Sequence, residues 1–376
     1  MLKKTLTDTM AENDTGGLGS TLPRLRHNTG LNIVEKFWMQ SLARELLPDE
    51  RVAECLRVIA PFQSRVLIAQ NTATKRAHYR NLVICCRVWQ CPICASTITE
   101  ARRKEIATAL EISGLYPILV TYTIRHKTGD SLPMMLAAIL EAFRALKSGK
   151  AWQEFSAENS WIGSIRSLEV THGGNGWHPH VHELALLETP NTSASEDSMN
   201  RFLRQHWISA LKRQGKDASW ERGVDISTKR GRIVEYVAKY GHEPIATGWT
   251  ETHELTKAPV KVGRKEGRTP MQLLADYGTG DKVAGKLYVE YSNAFKGRKQ
   301  LVWSRGLKER MGIKNDKDDE QIMKDFEAEG EPMMSLSREE WTKVIRSNRR
   351  AELLQVANEG NIDSLYICLA DILLTE

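Results

Sequence analysis

The chain has 376 residues, with 53 Lys and Arg against 47 Asp and Glu, 41% apolar residues and 27% charged ones. That profile belongs to a folded globular protein with room for one large domain or several smaller ones, and excludes a disordered or fibrous chain. No uninterrupted apolar run reaches the ~18 residues that a membrane helix needs. The opening MLKKTLTDTMAENDTGGLGS has no apolar core that would make it a signal peptide, so neither secretion nor membrane insertion is expected.

The net charge of +6 conceals an asymmetry. Residues 314–376 hold 8 basic and 15 acidic side chains, which leaves 45 basic and 32 acidic ones in residues 1–313. A basic body points to a polyanion partner, nucleic acid above all, and the acidic stretch reads as a separate helical tail.

Residues 1–50 read as a partly disordered N-terminal extension, polar at first and then helical. Between 31 and 60, VEKFWMQSLARELL and ERVAECLRVI have the spacing of amphipathic helices. Residues 51–112 form a helical, Cys-rich segment that ends in STITEARRKEIATALEIS, a helix that Ser96 or Thr97 is placed to cap. The main domain occupies 113–313. YPILVTYTI (116–124) is a strand, and residues 131–149 are a helix opened by Ser131 and Pro133 and closed by Gly149. WIGSIRSLEVT (161–171) and HPHVHELALL (178–187) are strands joined by a glycine-rich turn. A helix over 196–215, a short strand VDIS (224–227) and a helix RIVEYVAKYGHE (230–243) complete the order β-α-β-β-α-β-α. A hairpin between helices predicts an α+β fold with a central antiparallel sheet flanked by helices. Residues 314–376 read as short acidic helices.

Of six cysteines, four fall within ten residues: Cys85, Cys86, Cys91 and Cys94. Such clustering in a chain without a signal peptide indicates a reducing compartment, the cytoplasm, and a metal site. Cys91-Pro-Ile-Cys94 has zinc-knuckle spacing, Cys85 or Cys86 is placed to supply a third thiolate to Zn²⁺, and the fourth ligand stays open between Cys86, His78 and Cys55. Otherwise Cys55 and Cys368 read as ordinary buried cysteines. Arg102 and Arg103, with Lys75, Arg76, Arg80 and Arg87, would let the segment grip phosphates. Arg125 and His126, after the first strand, are placed to line a DNA path.

On a strand, His178, His180 and His182 share one face, and neutral imidazoles two residues apart reach one divalent cation. The turn folds Glu169 back toward them as an oxygen ligand. Mixed N and O donors suit Mg²⁺ or Mn²⁺, and Zn²⁺ is also compatible. In RIVEYVAKYGHE, Tyr236 and Tyr240 lie one helical turn apart with Lys239 beside them. A nearby cation and a metal-polarised phosphate would turn a phenol into a nucleophile.

Together these residues resemble the HUH endonucleases, and more closely the rolling-circle replication initiators (Rep proteins) of plasmids and phages. His180-Val-His182 matches the family's metal motif and Tyr236-Val-Ala-Lys239-Tyr240 its nucleophile motif, in a two-tyrosine form similar to the phage gene A initiators. VTYTIRH with Thr121 and Thr123 looks like its first motif, and CCRVWQCPICASTI and KGRKQLVWSRGL look like plasmid initiator segments. The resemblance covers about residues 75–310. It favours Cys85 as the third thiolate and implies the family's HUH fold behind a small zinc-binding segment. It also implies origin-specific nicking of DNA, single-stranded or extruded, and rejoining by transesterification. Tyr240 would attack to form a 5′-phosphotyrosine, and the freed 3′ hydroxyl would prime host polymerase. No phosphate-binding Gly-x-x-x-x-Gly-Lys-Ser/Thr loop occurs, so a host helicase is implied. A transposase or relaxase, or a non-enzymatic zinc-stabilised DNA-binding regulator, are the alternative readings.

Overall fold

The computed structural model describes residues 32–190, 193–228, 267–314 and 316–374. The chain opens with α1 (Ile33–Leu46), started by a capping box between Asn32 and Glu35. Strands β1 (Val66–Gln70) and β2 (Ala77–Arg80) follow, then α2 (Pro92–Ser113) and β3 (Tyr116–Thr123). Next come α3 (Leu132–Leu146), α4 (Gly149–Glu158), β4 (Trp161–Gly173), β5 (Gly176–Leu187), α5 (Ser193–Lys212) and β6 (Val224–Ser227). Later strands are β7 (Gly267–Arg268), β8 (Leu301–Trp303) and β9 (Glu331–Leu336), set among helices that include Lys282–Phe295 and Arg350–Asn358.

The larger sheet has the order β6-β3-β5-β4-β7, with β8 also on β4, and every strand pairing among the described residues is antiparallel. This is the expected α+β sheet with helices against it. β4 and β5 form a long hairpin closed between Gly173 and Gly176, tighter than the turn read from sequence.

β5 is buried on both faces, and alternation sorts its side chains between two cores. Val181, Ala185 and Leu187 join Leu136 and Ile139 of α3 and Met199 and Trp207 of α5 in the main core. Leu184 and Leu186 face the other way, packing with Leu119, Ile165, Leu301 and Leu307 and with Ile106 and Ala109 of α2. On the main-core side the wholly buried Glu183 accepts from Tyr122 at 2.8 Å and pairs with Lys147 at 2.8 Å. The Lys147 ammonium lies 3.9 Å and 4.0 Å from the Trp152 and Trp161 ring centres. Burial pulls Lys147 down to about 8, against the attraction of Glu183.

Several local expectations change. ERVAECLRVI forms only a 3-10 turn at Arg51–Ala53, and Leu56 takes φ +51°. The Leu56 N–H there donates to the Val83 carbonyl instead of a helical partner. The helix expected from Ser96 or Thr97 starts at Pro92 with Cys91 as its N-cap, because proline fits the first turn where its missing N–H is not needed. Ser96 and Thr97 instead bond back to the Ile93 carbonyl. The helix expected over 131–149 stops at Leu146, and Gly149 (φ +82°) opens α4. The expected helix 230–243 lies outside the described residues.

Residues 314–376 do more than form helices. β9 pairs with β1 to make a three-stranded sheet of order β2-β1-β9. Arg350, only 2% exposed, donates to the Leu56 carbonyl at 2.7 Å and to Gln40 Oε1 at 3.3 Å, with its guanidinium over Phe37. Tyr79 of β2 donates to the Arg350 carbonyl at 2.9 Å. The acidic stretch is thus built into the Cys-rich region. Arg350→Ala removes both donors from buried oxygens and leaves a void, which should cost about 2–5 kcal/mol. A lower urea midpoint of unfolding is the expected result, and an unchanged midpoint would show that this residue does not brace the region.

Candidate metal centres and their surroundings

The sheet face that carries Leu184 and Leu186 turns polar toward the hairpin end. Register places Thr121, His182 and Ser167 in one row, Thr123, His180 and Glu169 in the next, and His178 opposite Thr171 beyond them. Paired residues share a face, so the apolar end rests on α2 while the polar end gathers ligand-type side chains.

Glu169, His180 and His182 bring their donor atoms within 4.8 Å of one another. Glu169 Oε2 lies 3.0 Å from His180 Nε2 and 3.2 Å from His182 Nε2. Adjacent ligands of an octahedral ion with ~2.1 Å bonds are about 3.0 Å apart, so these separations fit one hard divalent cation. Glu169 and His182 are buried, at 5% and 9% exposure. His182 Nδ1 lies 3.0 Å from the Thr121 hydroxyl, and this contact turns Nε2 toward Glu169.

His178 shares the face but stands outside this group. Its ring stacks on His126, with centroids 4.6 Å apart and planes 16° from parallel. Burial, then the neighbouring imidazoles of His180 and His126, hold His178 down at about 3, so it is neutral at physiological pH.

A second cluster consists of Cys55, Cys85, Cys91 and Cys94, all buried. Cys91 caps α2 and Cys94 lies in its first turn, while the turn after Arg51–Ala53 brings Cys55 across to them. The Sγ separations are 3.6 Å for Cys55–Cys94, 3.6 Å for Cys85–Cys94 and 3.8 Å for Cys91–Cys55. A tetrahedron with ~2.3 Å metal–sulfur bonds has edges of about 3.8 Å, so the donor set fits a four-coordinate metal such as zinc. Backbone N–H groups of Cys85 and Arg87 point at the Cys55 and Cys85 sulfurs, and the Gln40 amide at that of Cys91. Hydrogen bonds among the sulfurs, then burial, hold Cys55, Cys85 and Cys94 well above the ordinary thiol range. Burial opposes ionisation of Cys91 too, but the other three thiols draw it well below that range. A divalent cation bound among the four sulfurs would stabilise their thiolate forms.

The set differs from the expected one at a single place. Cys86 (φ +53°) lies outside the four, half-buried, with Arg51, Asp319 and Glu320 as its charged surroundings. Cys55 takes the fourth position. Its sequence surroundings look like a helix, and no local spacing links it to a partner 30 or more residues away. His78, the other candidate, packs against Phe326, and its Nε2 lies 3.3 Å from the Glu327 carbonyl.

Arg102 pairs with Glu105 and Asp319, and Arg103 with Glu100, so both guanidiniums are engaged by carboxylates. Arg125 is 66% exposed, with Asp217 at 3.6 Å. Tyr236, Lys239 and Tyr240 lie outside the described residues. No described helix is long and apolar enough to cross a membrane.

Among known proteins, this chain is similar to "Protein rep" of Streptomyces lividans, 27% identical over 80% of this chain and 81% of the relative. It is similar to "Protein rep" of Bacillus amyloliquefaciens at 25% identity over 69% and 71%. A "Neomycin resistance protein" of Streptomyces cyanogenus is 32% identical over only 32% and 34%. No solved structure matches. The model of the replication protein family matches residues 79–350, a span that includes His180, His182 and three of the four clustered cysteines, and the chain belongs to that family.

Proposed function

We propose that this protein initiates rolling-circle replication of a plasmid or small phage genome by nicking one strand at the origin and later rejoining it. The observation that carries this reading is the Glu169–His180–His182 cluster on one face of the β4–β5 hairpin, in a chain of the replication protein family. Those three side chains would hold Mg²⁺ or Mn²⁺. Bound there, the ion would supply Lewis-acid polarisation of the scissile phosphate. The Thr121 hydroxyl fixes the His182 ring so that Nε2 serves as the ligand atom. The Tyr240 oxygen attacks phosphorus and the bond to the 3′ oxygen breaks. The phenol has lost its proton, the 3′ oxygen takes one up, and the 5′ phosphate stays on the tyrosine. Lys239 neutralises developing charge. Tyr236, one helical turn from Tyr240 in the expected helix, provides a second nucleophile for the joining step. Host helicase and polymerase would do the rest.

The thiol cluster is proposed as a structural zinc site formed by Cys55, Cys85, Cys91 and Cys94. Its closed tetrahedral set leaves no position for substrate.

The central test is nicking of supercoiled plasmid bearing the cognate origin, with Mg²⁺ or Mn²⁺. His180→Ala and His182→Ala should each lower the rate by about a hundredfold or more with circular dichroism unchanged, and His178→Ala should do less. Wild-type rates in the double alanine variant would remove the metal assignment. A folded wild-type protein that binds the origin without cutting it would favour the non-enzymatic regulator.

For the cysteines, Cys55→Ser or Cys91→Ser should reduce bound zinc, measured by elemental analysis, and lower the melting temperature. Cys86→Ser should leave both unchanged. Full zinc content in Cys55→Ser would restore Cys86 or His78 as a ligand.

Tyr240→Phe should lose most initial nicking, whereas Tyr236→Phe should nick but release closed circles poorly. Peptide mass spectrometry of the trapped adduct reads the attachment point directly. An adduct on neither tyrosine would overturn the mechanism.

A further inference from the structure

From the candidate metal ligands a row of imidazoles runs along the sheet face. Ring centroids are 4.7 Å apart for His182 and His180, 5.4 Å for His180 and His178, and 4.6 Å for His178 and His126. The first two belong to the cluster with Glu169, and neither of the others does. His126 does not come from the same strand. It stands just after β3, and the loop beyond it is held firmly. Lys127 N–H donates to Asp130 at 3.0 Å, Lys216 pairs with Asp130 at 3.0 Å, and the Thr128 hydroxyl donates to the Gly174 carbonyl at 3.2 Å. The hairpin tip packs on this loop at Gly176 (φ +85°), where a Cβ would stand 3.3 Å from the Lys127 carbonyl. Both rings remain partly exposed, and the exposed cations Arg125 and Lys127 flank His126 in sequence.

A preformed, near-parallel aromatic pair beside a cationic loop is what an unpaired base stacks on while its phosphates are neutralised. His178 lies one strand repeat, about 6.8 Å, from His180, a span suited to the nucleotide next to the one at the metal. We infer that His126 and His178 form a stacking subsite for a nucleobase of single-stranded DNA adjacent to the cleaved phosphate. This rests on the reading of the hairpin face as a DNA-cutting site.

The test measures fluorescence anisotropy of the full chain with two labelled probes and no added divalent ion. One is a fifteen-nucleotide oligothymidylate, and the other is an abasic deoxyribose-phosphate strand of the same length. His126→Ala should weaken oligothymidylate binding about tenfold and leave abasic binding nearly unchanged, while His126→Phe keeps both at wild-type levels. An equal loss on both probes, no loss on either, or a Phe variant as weak as Ala would overturn the subsite. Origin nicking by the wild type is scored separately. Wild-type nicking with His126→Ala discriminating the probes as the wild type does removes only the subsite. A wild type that does not nick removes the functional reading, and the two-probe comparison still decides whether the rings receive a base.

Discussion

Two-residue alternation along β5 governs both the packing and the chemistry of this protein. The strand sits between β3 and β4, and alternation commits each of its side chains to one of two faces. Glu183 must face Tyr122 and Lys147, and His182 must face Thr121 and Glu169. A slip of one residue would exchange the two sets, placing imidazoles against the main core and a buried carboxylate among the ligands. The Lys147–Glu183 pair, enclosed by Trp152 and Trp161, acts against such a slip, because a buried charge without its partner is strongly destabilising. The geometry of the Glu169–His180–His182 cluster on one face is therefore tied to ion-pair geometry on the other.

The thiol cluster plays a comparable part in the Cys-rich region. Its sulfurs come from the turn after Arg51–Ala53, from the segment after β2 and from the start of α2. A further link runs outward through Gln40, whose amide reaches the Cys91 sulfur and whose carbonyl oxygen meets Arg350. The C-terminal half of α2 covers the apolar end of the hairpin face, so one helix has the thiol cluster at its start and the second core at its other end.

Strands β3 to β6 of the larger sheet were readable in the sequence because they carry strong local signals, whereas β7 and β8 were not. β-branched residues fill β3, a glycine-rich turn separates β4 from β5, and histidines alternate on β5. Strand periodicity and hairpin register put Glu169 on one face with His178, His180 and His182, and the resemblance to the initiator family narrowed the three histidines to His180 and His182. What sequence could not supply depends on contacts between distant segments. Cys55 lies in a run with helical spacing, and only tertiary contact turns it toward the other sulfurs. β1 and β2 are short and lack clean alternation, and β9 (EPMMSL) is embedded in an acidic stretch that suggests helices. Arg350 carries no local mark of burial, since its partners are the Leu56 carbonyl and Gln40. The stacking of His178 on His126 was not legible either, because His126 is a loop residue whose position strand periodicity does not specify.

The pairing of β1 with β9 also bears on the order in which the fold can be completed. Roughly 260 residues separate the two strands, so at ~5–20 residues per second β1 waits on the order of 13–52 s during synthesis before its partner leaves the ribosome. Until then one edge of the small sheet is open, and the Leu56 carbonyl beside the sulfur cluster lacks the guanidinium that later reaches it. Interrupted translation would release chains that carry the whole histidine hairpin but an unfinished Cys-rich region. The Cys-rich region is thus completed only after β9 and Arg350 have been synthesised.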